Sequence, residues 1–535
     1  MGGVISFNLV TEPWIPVRRL DGDTASVSLI GVFLQAHEIR RIEGDLPTQT
    51  FALLRLLLAV MYSHIGPADL TAWKNLWWEW TEGPGRPGGP PGRLVTALTR
   101  EEDLFDLCHP EHPFLQVAGL RSGSVSRLNR LIADVPVGEQ FFSTRAGPGA
   151  DALSRAEAAR WLVHGHAYDT AGIKSGAVDD PLAKGGKGYG SKVGPCGALG
   201  GVYLEGDDLA ETLLLNLIPL DMYTDVGDDR PAWRTGPHTS AYTVHERRPA
   251  GPRELLTWRS RRVRLVHDGD AVTGVVLCNG DQLAPNNLHD LEPHSGWRMS
   301  ARLSKPDRPV WLPVRLDPAR AFWRGFEALL PKDGDEDGVR PPLVLRWADR
   351  LVQASVFAPQ RLLRVHATGV EYGPKQTVFA DVLDDALTVR AKLLMSTGNV
   401  PARAAIRDSV EKAEEAVTAL GHLAANLSLA AGAEDQAPAR RDEARSHAFA
   451  DLEPAFRTWL RDLPFGEPEA EAAGHVWERT VQRVLRAHAA ELIADAGEAA
   501  WSGRAGMDVA IAERRFHRAL RKALPLTHPE AVNAD

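Results

Sequence analysis

Cysteine is scarce in this chain of 535 residues, which contains only Cys108, Cys196 and Cys278. These three lie far apart and form no C-x-x-C pair, so the sequence offers neither a disulfide framework nor a thiolate zinc site. The longest apolar run, 51–61, is short and interrupted by Arg55, and the first ten residues lack the features of a signal peptide. We therefore predict a reduced, cytoplasmic protein that does not associate with a membrane.

Signatures of catalysis are also missing. The chain has no H-E-x-x-H and no serine within G-x-S-x-G. His109 and His112 are separated by Pro110 and followed by Pro113, which prevents the helical spacing that presents two histidines to one ion. The sequence therefore offers no catalytic constellation, and it indicates no metal site or cofactor.

An excess of basic residues is absent as well, because the formal net charge is −9. Such a chain does not coat nucleic acid over its whole surface, although one local patch remains possible. The region 376–535 contains 19 basic and 25 acidic residues, so we expect its helices to contact protein neighbours rather than nucleic acid.

Glycine, by contrast, is concentrated in one stretch. Residues 184–201 read KGGKGYGSKVGPCGALGG, with eight glycines, three lysines and no acid. We expect no regular element at this density, because glycine loses much backbone entropy on folding and has no side chain to bury. A backbone that another molecule can approach closely, flanked by ammonium groups, is suited to a polyanion. An inert surface loop with incidental lysines is the alternative.

The same stretch only partly imitates a phosphate-binding P-loop. Gly185 and Gly190 have the required separation, but Ser191 precedes Lys192, which reverses the order that the motif needs. A Walker-type ATPase is therefore disfavoured.

Hydrophobic periodicity predicts an α+β protein with two domains. Residues 1–375 are predicted to form a large, irregular mixed α/β domain, and 376–535 an all-α bundle of the four-helix type. The predicted strands are 7–17 and 261–266, a helix is predicted at 48–64, and 207–218 fits a helix or a strand. The predicted bundle helices are 381–396, 402–429, 439–463, 468–495 and 507–524.

Aromatic residues occur in two settings. Trp73, Trp77 and Trp80 are at helical spacing, which favours one packed face over base stacking. Phe141 and Phe142 instead lead into a glycine- and proline-containing loop, 145–151, where exposed rings beside Arg145 could stack on a base or dock into a partner.

Several motifs, taken in order, resemble one family: the large subunit, CasA, of the type I-E Cascade surveillance complex of CRISPR immunity. The similar segments are NLVTEPWIPV at 8–17, HPFLQ at 112–116, the glycine stretch followed by ETLLLNLI at 211–218, and VQAS at 352–355. The terminal helices fit the family as well.

This resemblance implies a non-catalytic subunit that recognises the protospacer-adjacent motif (PAM) of double-stranded target DNA from the minor groove and starts strand separation. Its implied partners are target DNA, guide RNA, a small-subunit dimer, backbone subunits, a subunit at the guide 5′ end and a recruited helicase–nuclease. The implied minor-groove loop consists of Lys184, Gly185, Gly186, Lys187, Gly188, Tyr189, Gly190, Ser191 and Lys192. The implied wedge is Gln353 with Val352 and Ala354, and the implied guide-side contact is Phe142, Ser143, Thr144 and Arg145.

One feature of the family has no obvious counterpart. Its members touch the minor groove with a lysine in a β-hairpin, whereas the corresponding segment, 278–291, contains no lysine. Gln282 or Asn286 could substitute, or the correspondence lies elsewhere, so this contact remains unassigned. A nucleotide-binding hydrolase built on the glycine loop and a purely structural adaptor are the alternative functions.

Overall fold

The chain forms two compact units. The structure, a computed structural model, describes residues 6–82, 89–135, 151–236, 239–240, 245–318, 320–331, 338–504 and 506–525. The first unit comprises 1–319, 334–356 and 363–386, and the second comprises 320–333, 357–362 and 387–535. The sequence placed one division after residue 375; the second unit instead also takes in two earlier segments, and its continuous part begins at residue 387.

The strands belong to four small sheets. Their bounds are β1 Ile15–Arg19, β2 Thr24–Val27, β3 Ile39–Ile42, β4 Leu153–Ser154, β5 Gly172–Ser175, β6 Lys187–Ser191, β7 Gly201–Glu205, β8 Arg261–Asp268, β9 Ala271–Asn279, β10 Trp297–Met299, β11 Trp311–Pro313, β12 Val339–Arg340, β13 Leu362–Tyr372 and β14 Phe379–Arg390. Three sheets have three strands, in the orders β2-β1-β3, β11-β10-β12 and β14-β13-β7. In the fourth, the order is β4-β9-β5-β6 and β8 pairs with β9.

Helices flank these sheets and then dominate the C-terminal part. Their bounds are α1 Leu29–Leu34, α2 Pro47–Ile65, α3 Leu70–Trp77, α4 Gly92–Arg100, α5 Arg155–Tyr168, α6 Pro195–Ala198, α7 Leu209–Asn216, α8 Pro252–Leu256, α9 Leu343–Gln353, α10 Val400–Ala430, α11 Ala437–Asp462, α12 Glu467–Ala494, α13 Glu498–Ser502 and α14 Val509–Ala523. The mixed fold with a terminal helical bundle confirms the predicted fold class, and the segment 207–218 proves to be helical at α7.

The helix α2 is the central core element of the first unit, and it confirms the helix predicted at 48–64. It is buried around most of its circumference, including Arg55, whose guanidinium donates to both carboxylate oxygens of Glu292 at 2.8 and 3.0 Å. Burial of an arginine requires such a partner, because an unpaired charge in the core is costly. The Arg55–Glu292 pair therefore anchors α2 to the segment that precedes β10.

Two predicted elements are wrong. The strand expected at 7–17 begins only at Ile15, because Thr11 and Glu12 donate their N–H groups to Asn8 and form a turn. The helix expected at 381–396 is instead strand β14, followed by a short 3₁₀ turn. Pairing with the long strand β13 overrides the local helical composition of this segment.

The four long helices α10, α11, α12 and α14 form the bundle, in agreement with the helices predicted from 402 onward. Helix α10 contacts the other three. In the core of the bundle, the rings of Phe456 and Trp477 meet edge to face with their centroids 5.2 Å apart, and the ring of Trp323 stacks on that of Phe456 at 4.4 Å. This aromatic cluster accounts for much of the apolar surface that the bundle buries.

The predicted packing of the tryptophans is confirmed. Trp73, Trp77 and Trp80 are buried, and Trp73 stacks on Trp77 at 5.1 Å. Among the described residues, no single helix has the length and apolar composition to cross a membrane. The segments Pro47–Ile65 and Leu70–Thr81 satisfy such a test only as a pair, with a bend of 107° between them.

Candidate nucleic-acid interface

The glycine-rich stretch contributes strand β6, which pairs with the preceding strand β5 as a β-hairpin, and this corrects the expectation that the stretch holds no regular element. Residues 176–186 connect the two strands, and this connection ends in a tight turn, here called the tip, in which the N–H of Lys184 donates to the carbonyl of Lys187 at 2.9 Å and the N–H of Lys187 donates back at 3.1 Å. Gly185 and Gly186 lie between them with φ of +57° and +70°. A two-residue turn of type I′ requires positive φ at both central positions, which is the reason for these two glycines.

Other glycines allow close packing rather than special torsion angles. A Cβ at Gly188 would lie 3.0 Å from Nδ2 of Asn279, the buried side chain that donates to the carbonyl of Tyr189 at 2.9 Å. A Cβ at Gly194 would lie 2.4 Å from the carbonyl oxygen of Ala167. The hairpin is therefore pressed against β9 and the end of α5 through glycine backbone.

A single guanidinium group ties the two legs of the hairpin together at their base. Arg261 is 2% exposed, and its Nη2 donates to the carbonyls of Thr170, before β5, and Lys192, after β6, at 2.8 and 2.7 Å. Its Nε donates to the carboxylate of Asp169, which also pairs with Nζ of Lys174 at 2.8 Å. Arg261 therefore fixes the spacing between the legs.

The electrostatics of this base are those of a buried ionic network. Burial opposes ionisation of Asp169, yet the charges of Lys174 and Arg261 outweigh it and hold the pKa of Asp169 below its usual value. Burial also lowers the pKa of Lys174, although Asp169 opposes this shift. Removing either cation would leave a buried charge incompletely compensated.

The hairpin presents its cations unequally. Lys184 and Lys187 are exposed, and neither forms an ion pair with any carboxylate of the described residues. Lys192 is exposed but pairs with Glu246. Tyr189 is 51% exposed between two glycines, whereas Ser191 is buried. The tip of the hairpin is thus the part with available positive charge.

The predicted wedge lies at the end of α9. Gln353 is exposed and is the last residue of the helix, while the side chain of Val352 is buried and Ala354 forms the C-cap. The N–H groups of Ser355 and Val356 donate to the carbonyls of Val352 and Leu351 at 2.9 Å each, and Ser355 has φ of +55°. This is a Schellman closure, which ends the helix abruptly after Gln353.

Two contacts orient this end of α9. Nε2 of Gln353 donates to Oδ1 of Asp349 one turn earlier at 2.6 Å. Arg350 forms a bidentate pair with Asp221 at 2.9 and 2.8 Å. The helix packs on α7 and β7, whereas the hairpin packs on β9, so the two predicted DNA-contacting elements have different neighbours within the first unit.

A second hairpin, which the sequence did not reveal, has a turn closed by the same pair of reciprocal backbone hydrogen bonds. Strands β10 and β11 pair from Trp297 to Pro313, and their connection contains a turn in which the N–H groups of Lys305 and Arg308 each donate to the other's carbonyl, at 3.1 and 3.0 Å. Pro306 and Asp307 occupy the turn itself. Lys305 and Arg308 are exposed, and neither pairs with a carboxylate in the described part of the chain. The dipeptide Pro-Asp between two short apolar runs was the signal for this turn.

The segment first considered for the hairpin lysine has a different structure. Strand β9 ends at Asn279, and the following residues form turns rather than a hairpin. Gln282 is buried and its carbonyl accepts from the N–H of Arg247, whereas Asn286 is exposed. Of the two proposed substitutes, Asn286 is therefore the one whose side chain is accessible.

The remaining predicted positions fall into two groups. Phe142, Ser143, Thr144 and Arg145 lie outside the described residues. His164 and His166 are buried, and His166 bonds to the carbonyl of Leu115 at 2.9 Å, which confirms that they are packing residues. No cluster of three or more histidine, cysteine or acidic side chains in the described ranges is arranged to hold a metal ion.

Comparison with known proteins places these elements in a family context. The sequence profile of the CRISPR-associated protein Cse1 family matches residues 8–487. The CRISPR-associated protein CasA/Cse1 of Thermus thermophilus is 32% identical over 349 residues, which cover 62% of this chain and 62% of that relative, less than two thirds of its length.

Solved structures match over longer spans. The crystal structure of Thermobifida fusca Cse1 superimposes with a TM-score of 0.88 at 43% identity, covering 98% of this chain and 99% of that one. A chain of a CRISPR RNA-guided surveillance complex has a TM-score of 0.72 at 20% identity over 97% of this chain and 99% of its own, and shares the fold.

Proposed function

The chain belongs to the family of the CRISPR-associated protein Cse1, and from this premise we propose that it is the non-catalytic large subunit of a type I-E guide-RNA surveillance complex. In this role it recognises the PAM of double-stranded DNA from the minor groove and initiates opening of the duplex. The observation that carries the proposal is the glycine hairpin, whose slender tip combines a type I′ turn with two lysines that pair with no carboxylate of the described residues.

The geometry of the tip suits the minor groove. That groove is about 6 Å wide and shows a degenerate pattern of acceptors, so a backbone without side chains enters where bulky residues would clash. Gly185 and Gly186 form the narrow end, and Lys184 and Lys187 stand on either side of it, where phosphates flank the groove. Recognition of this kind tolerates several related motifs, because many base pairs look alike from the minor groove.

The β10–β11 hairpin supplies the lysine that the family resemblance implies. We assign this role to Lys305, because it is exposed at a hairpin tip and makes no ion pair with a described carboxylate. Lysine and asparagine side chains are among those that read the acceptors of the minor groove. Asn286 is a secondary candidate, since its side chain is also exposed.

Duplex opening is assigned to Gln353, with Val352 and Ala354 as its flanking residues. The abrupt end of α9 leaves the Gln353 side chain at the tip of a rigid helix, whose position Arg350 and Trp347 fix through Asp221 and Trp73. An amide inserted between base steps must offset unstacking of a few kcal/mol per step, and it can hydrogen-bond to the exposed base edges. Val352 acts from the core, because its side chain is buried.

The partners in this role are target DNA, guide RNA, the other Cascade subunits and the helicase–nuclease that acts after recognition. Phe142, Ser143, Thr144 and Arg145 remain the proposed contact near the 5′ end of the guide. Each of the two hairpin tips exposes two cations, which are Lys184 and Lys187 at one and Lys305 and Arg308 at the other. A purely structural adaptor would not need these cations.

The decisive experiment compares motif-bearing and motif-free duplexes bound by the assembled complex. The variant Lys184→Ala/Lys187→Ala should weaken binding to both duplexes and reduce the salt dependence, because two phosphate contacts are lost. Lys305→Ala should reduce the preference for the motif. The variant Lys74→Ala/Arg100→Ala, which removes two exposed charges elsewhere in the first unit, is the matched control.

Opening of the duplex is measured separately with a fluorescent base analogue beside the motif. Gln353→Ala should retain initial binding but reduce unstacking. The proposal is wrong if the hairpin double variant behaves like the Lys74→Ala/Arg100→Ala control and Gln353→Ala opens the duplex at the wild-type rate.

A further inference from the structure

The last helix of the bundle, α14, carries a second concentration of cations that have no carboxylate partner among the described residues. Its buried face consists of Val509, Ala512, Phe516, Leu520 and Ala523. The opposite, exposed face presents five cations, which we call the basic face: Arg514, Arg515, Arg518, Arg521 and Lys522. No acidic residue occurs between Arg514 and Pro525. None of the five pairs with a carboxylate of the described residues.

The other helices of the bundle treat their cations differently. Arg407 and Lys412 of α10 each pair with a carboxylate. So do all five arginines of α11, which are Arg440, Arg441, Arg445, Arg457 and Arg461. In a region that is acidic overall, ion pairing is therefore the rule, and the basic face departs from it.

The neighbouring helix α12 repeats this departure. Arg479, Arg483 and Arg486 are spaced at four and three residues, are exposed, and lie opposite the buried face that contains Trp477, Val481 and Leu485. No acidic residue occurs between Arg479 and Ala490, and none of the three arginines pairs with a described carboxylate. Helices α12 and α14 contact each other, so the two arginine rows lie on neighbouring helices of the bundle.

The chemistry of the basic face indicates what covers it. Arginine at successive helical turns repeats a cation about every 5.4 Å along the helix axis, and a row of cations suits a partner with repeated negative charges, such as a nucleic-acid strand. Guanidinium is suited to bidentate contacts with phosphate. A typical protein interface, in contrast, has a core depleted of charged residues, and the basic face exposes no large apolar side chain.

We propose that the basic face of α14, together with the arginine row of α12, binds the sugar–phosphate backbone of a nucleic acid. This surface is separate from the two hairpin tips and makes the bundle a second nucleic-acid contact of the subunit. It differs from the expectation, drawn from the overall charge of region 376–535, that these helices contact protein neighbours rather than nucleic acid. The inference does not depend on motif recognition by the glycine hairpin.

The test uses the full chain and two motif-free probes of equal length, a duplex and a single strand. Arg514→Gln/Arg518→Gln/Arg521→Gln should lower the slope of log affinity against log salt concentration by about 0.9 per lost contact on duplex, or about 0.7 on a single strand. The probe whose slope falls identifies which form of nucleic acid this surface prefers.

A matched control separates the basic face from the effect of net charge. Arg440→Gln/Arg441→Gln/Arg461→Gln removes the same charge from exposed arginines of α11, each of which already pairs with a carboxylate. This triple variant should leave the slope close to that of the wild type. Both triple variants are at exposed helical positions, so their unfolding transitions should match that of the wild type.

Three results would overturn the inference. The first is an equal slope for the two triple variants on both probes. The second is a loss of affinity for polyglutamate in the α14 triple variant that equals its loss of affinity for nucleic acid. This result would indicate an acidic protein partner instead. The third is defective assembly of the complex with unchanged nucleic-acid slopes. If the Lys184→Ala/Lys187→Ala variant binds duplex as the Lys74→Ala/Arg100→Ala control does while the α14 variant loses slope, the proposed function of the hairpin fails and the basic face stands.

Discussion

The glycine hairpin and the basic face of α14 both expose cations that pair with no carboxylate of the described residues, on a chain whose net charge is −9. They support those cations in different ways. The hairpin is a two-stranded element whose legs are held by two buried side chains, Arg261 and Asn279. Helix α14 instead holds its cations on a scaffold whose buried face belongs to the core of the bundle.

This difference shows that the cations and the residues that determine their placement can be changed separately. On α14, each arginine is replaceable without loss of the helix, because the exposed face contributes little to packing. At the hairpin, the lysines are also exposed, but their placement depends on residues that never touch a ligand. Substitution of such a buried residue should therefore affect the hairpin tip more than substitution of the lysines affects the fold.

The largest expected effect, which would sharpen this contrast, is the loss of stability when Arg261 is replaced. Arg261→Met should lower the free energy of unfolding of the first unit by about 3–5 kcal/mol, because Asp169 and two carbonyls lose a buried partner. Arg518→Met on α14 should change stability by less than about 0.5 kcal/mol. Chemical denaturation of both variants measures the difference, and equal losses would contradict it.

Acid should destabilise helix α5, which lies beside the hairpin, more than it destabilises the helical bundle. Burial lowers the pKa of His164 to about 3 and that of His166 to about 4, and both lie on α5, which leads into Asp169. A histidine whose folded pKa is lowered stabilises the protein above its unfolded value, near 6.5, and this contribution is lost as the pH falls.

The loss should reach on the order of 2 kcal/mol per histidine by pH 5. Hydrogen exchange measured by mass spectrometry should therefore show α5 opening more readily at pH 5 than at pH 7, with a smaller change in α12. His164→Asn should reduce the pH dependence of α5. A uniform response of both helices would show that these histidines do not control it.

A smaller effect concerns the packing of the hairpin against β9. Gly188→Val should destabilise the first unit by about 1–3 kcal/mol, because its Cβ would crowd the Asn279 amide at 3.0 Å. Gly188→Ala should cost less, since Asn279 must yield by only a few tenths of an ångström. Thermal unfolding of the two variants measures the difference. Identical unfolding transitions would show that Asn279 does not support the hairpin.

The smallest expected effect concerns charge alone. Glu246→Gln removes the partner of Lys192 and makes a third lysine of the hairpin available to phosphate. Affinity for motif-free duplex should rise a few-fold at low salt, and the salt slope should become steeper by up to about 0.9. The double variant Glu246→Gln/Lys192→Ala serves as the control, and a gain that survives there would assign the effect to another cation.

Local periodicity was sufficient for the long helices. The apolar repeat of Val410, Ala413, Val417 and Leu420 predicted α10, because a helix buries one stripe whatever its partners are. It was insufficient at 381–396, where the same residue types form β14. Pairing with the neighbouring strand β13 decides that outcome, and the residue pattern of 381–396 does not indicate this pairing.

At the candidate site, the sequence indicated the residues but not their support. Glycine density suggested a loop, whereas pairing with β5 and the amide of Asn279 make Lys187–Ser191 a strand. Lys305 escaped attention because its hairpin is joined by a long connection, and only the turn at its tip resembles that of Lys184. The assignment of Gln353 to the wedge stays a prediction from the family resemblance.

The sequence by itself determined the mixed fold, the helical bundle and the placement of glycine beside lysine, because these follow from local pattern and composition, and the order of its motifs carried the family resemblance. Only the tertiary structure decided which cations remain without partners. Lys192 meets Glu246, the arginines of α11 meet neighbouring carboxylates, and the tips of both hairpins and the face of α14 meet none that is described. Pairing depends on distances of a few ångströms between side chains, and those distances are set when distant segments of the chain pack together.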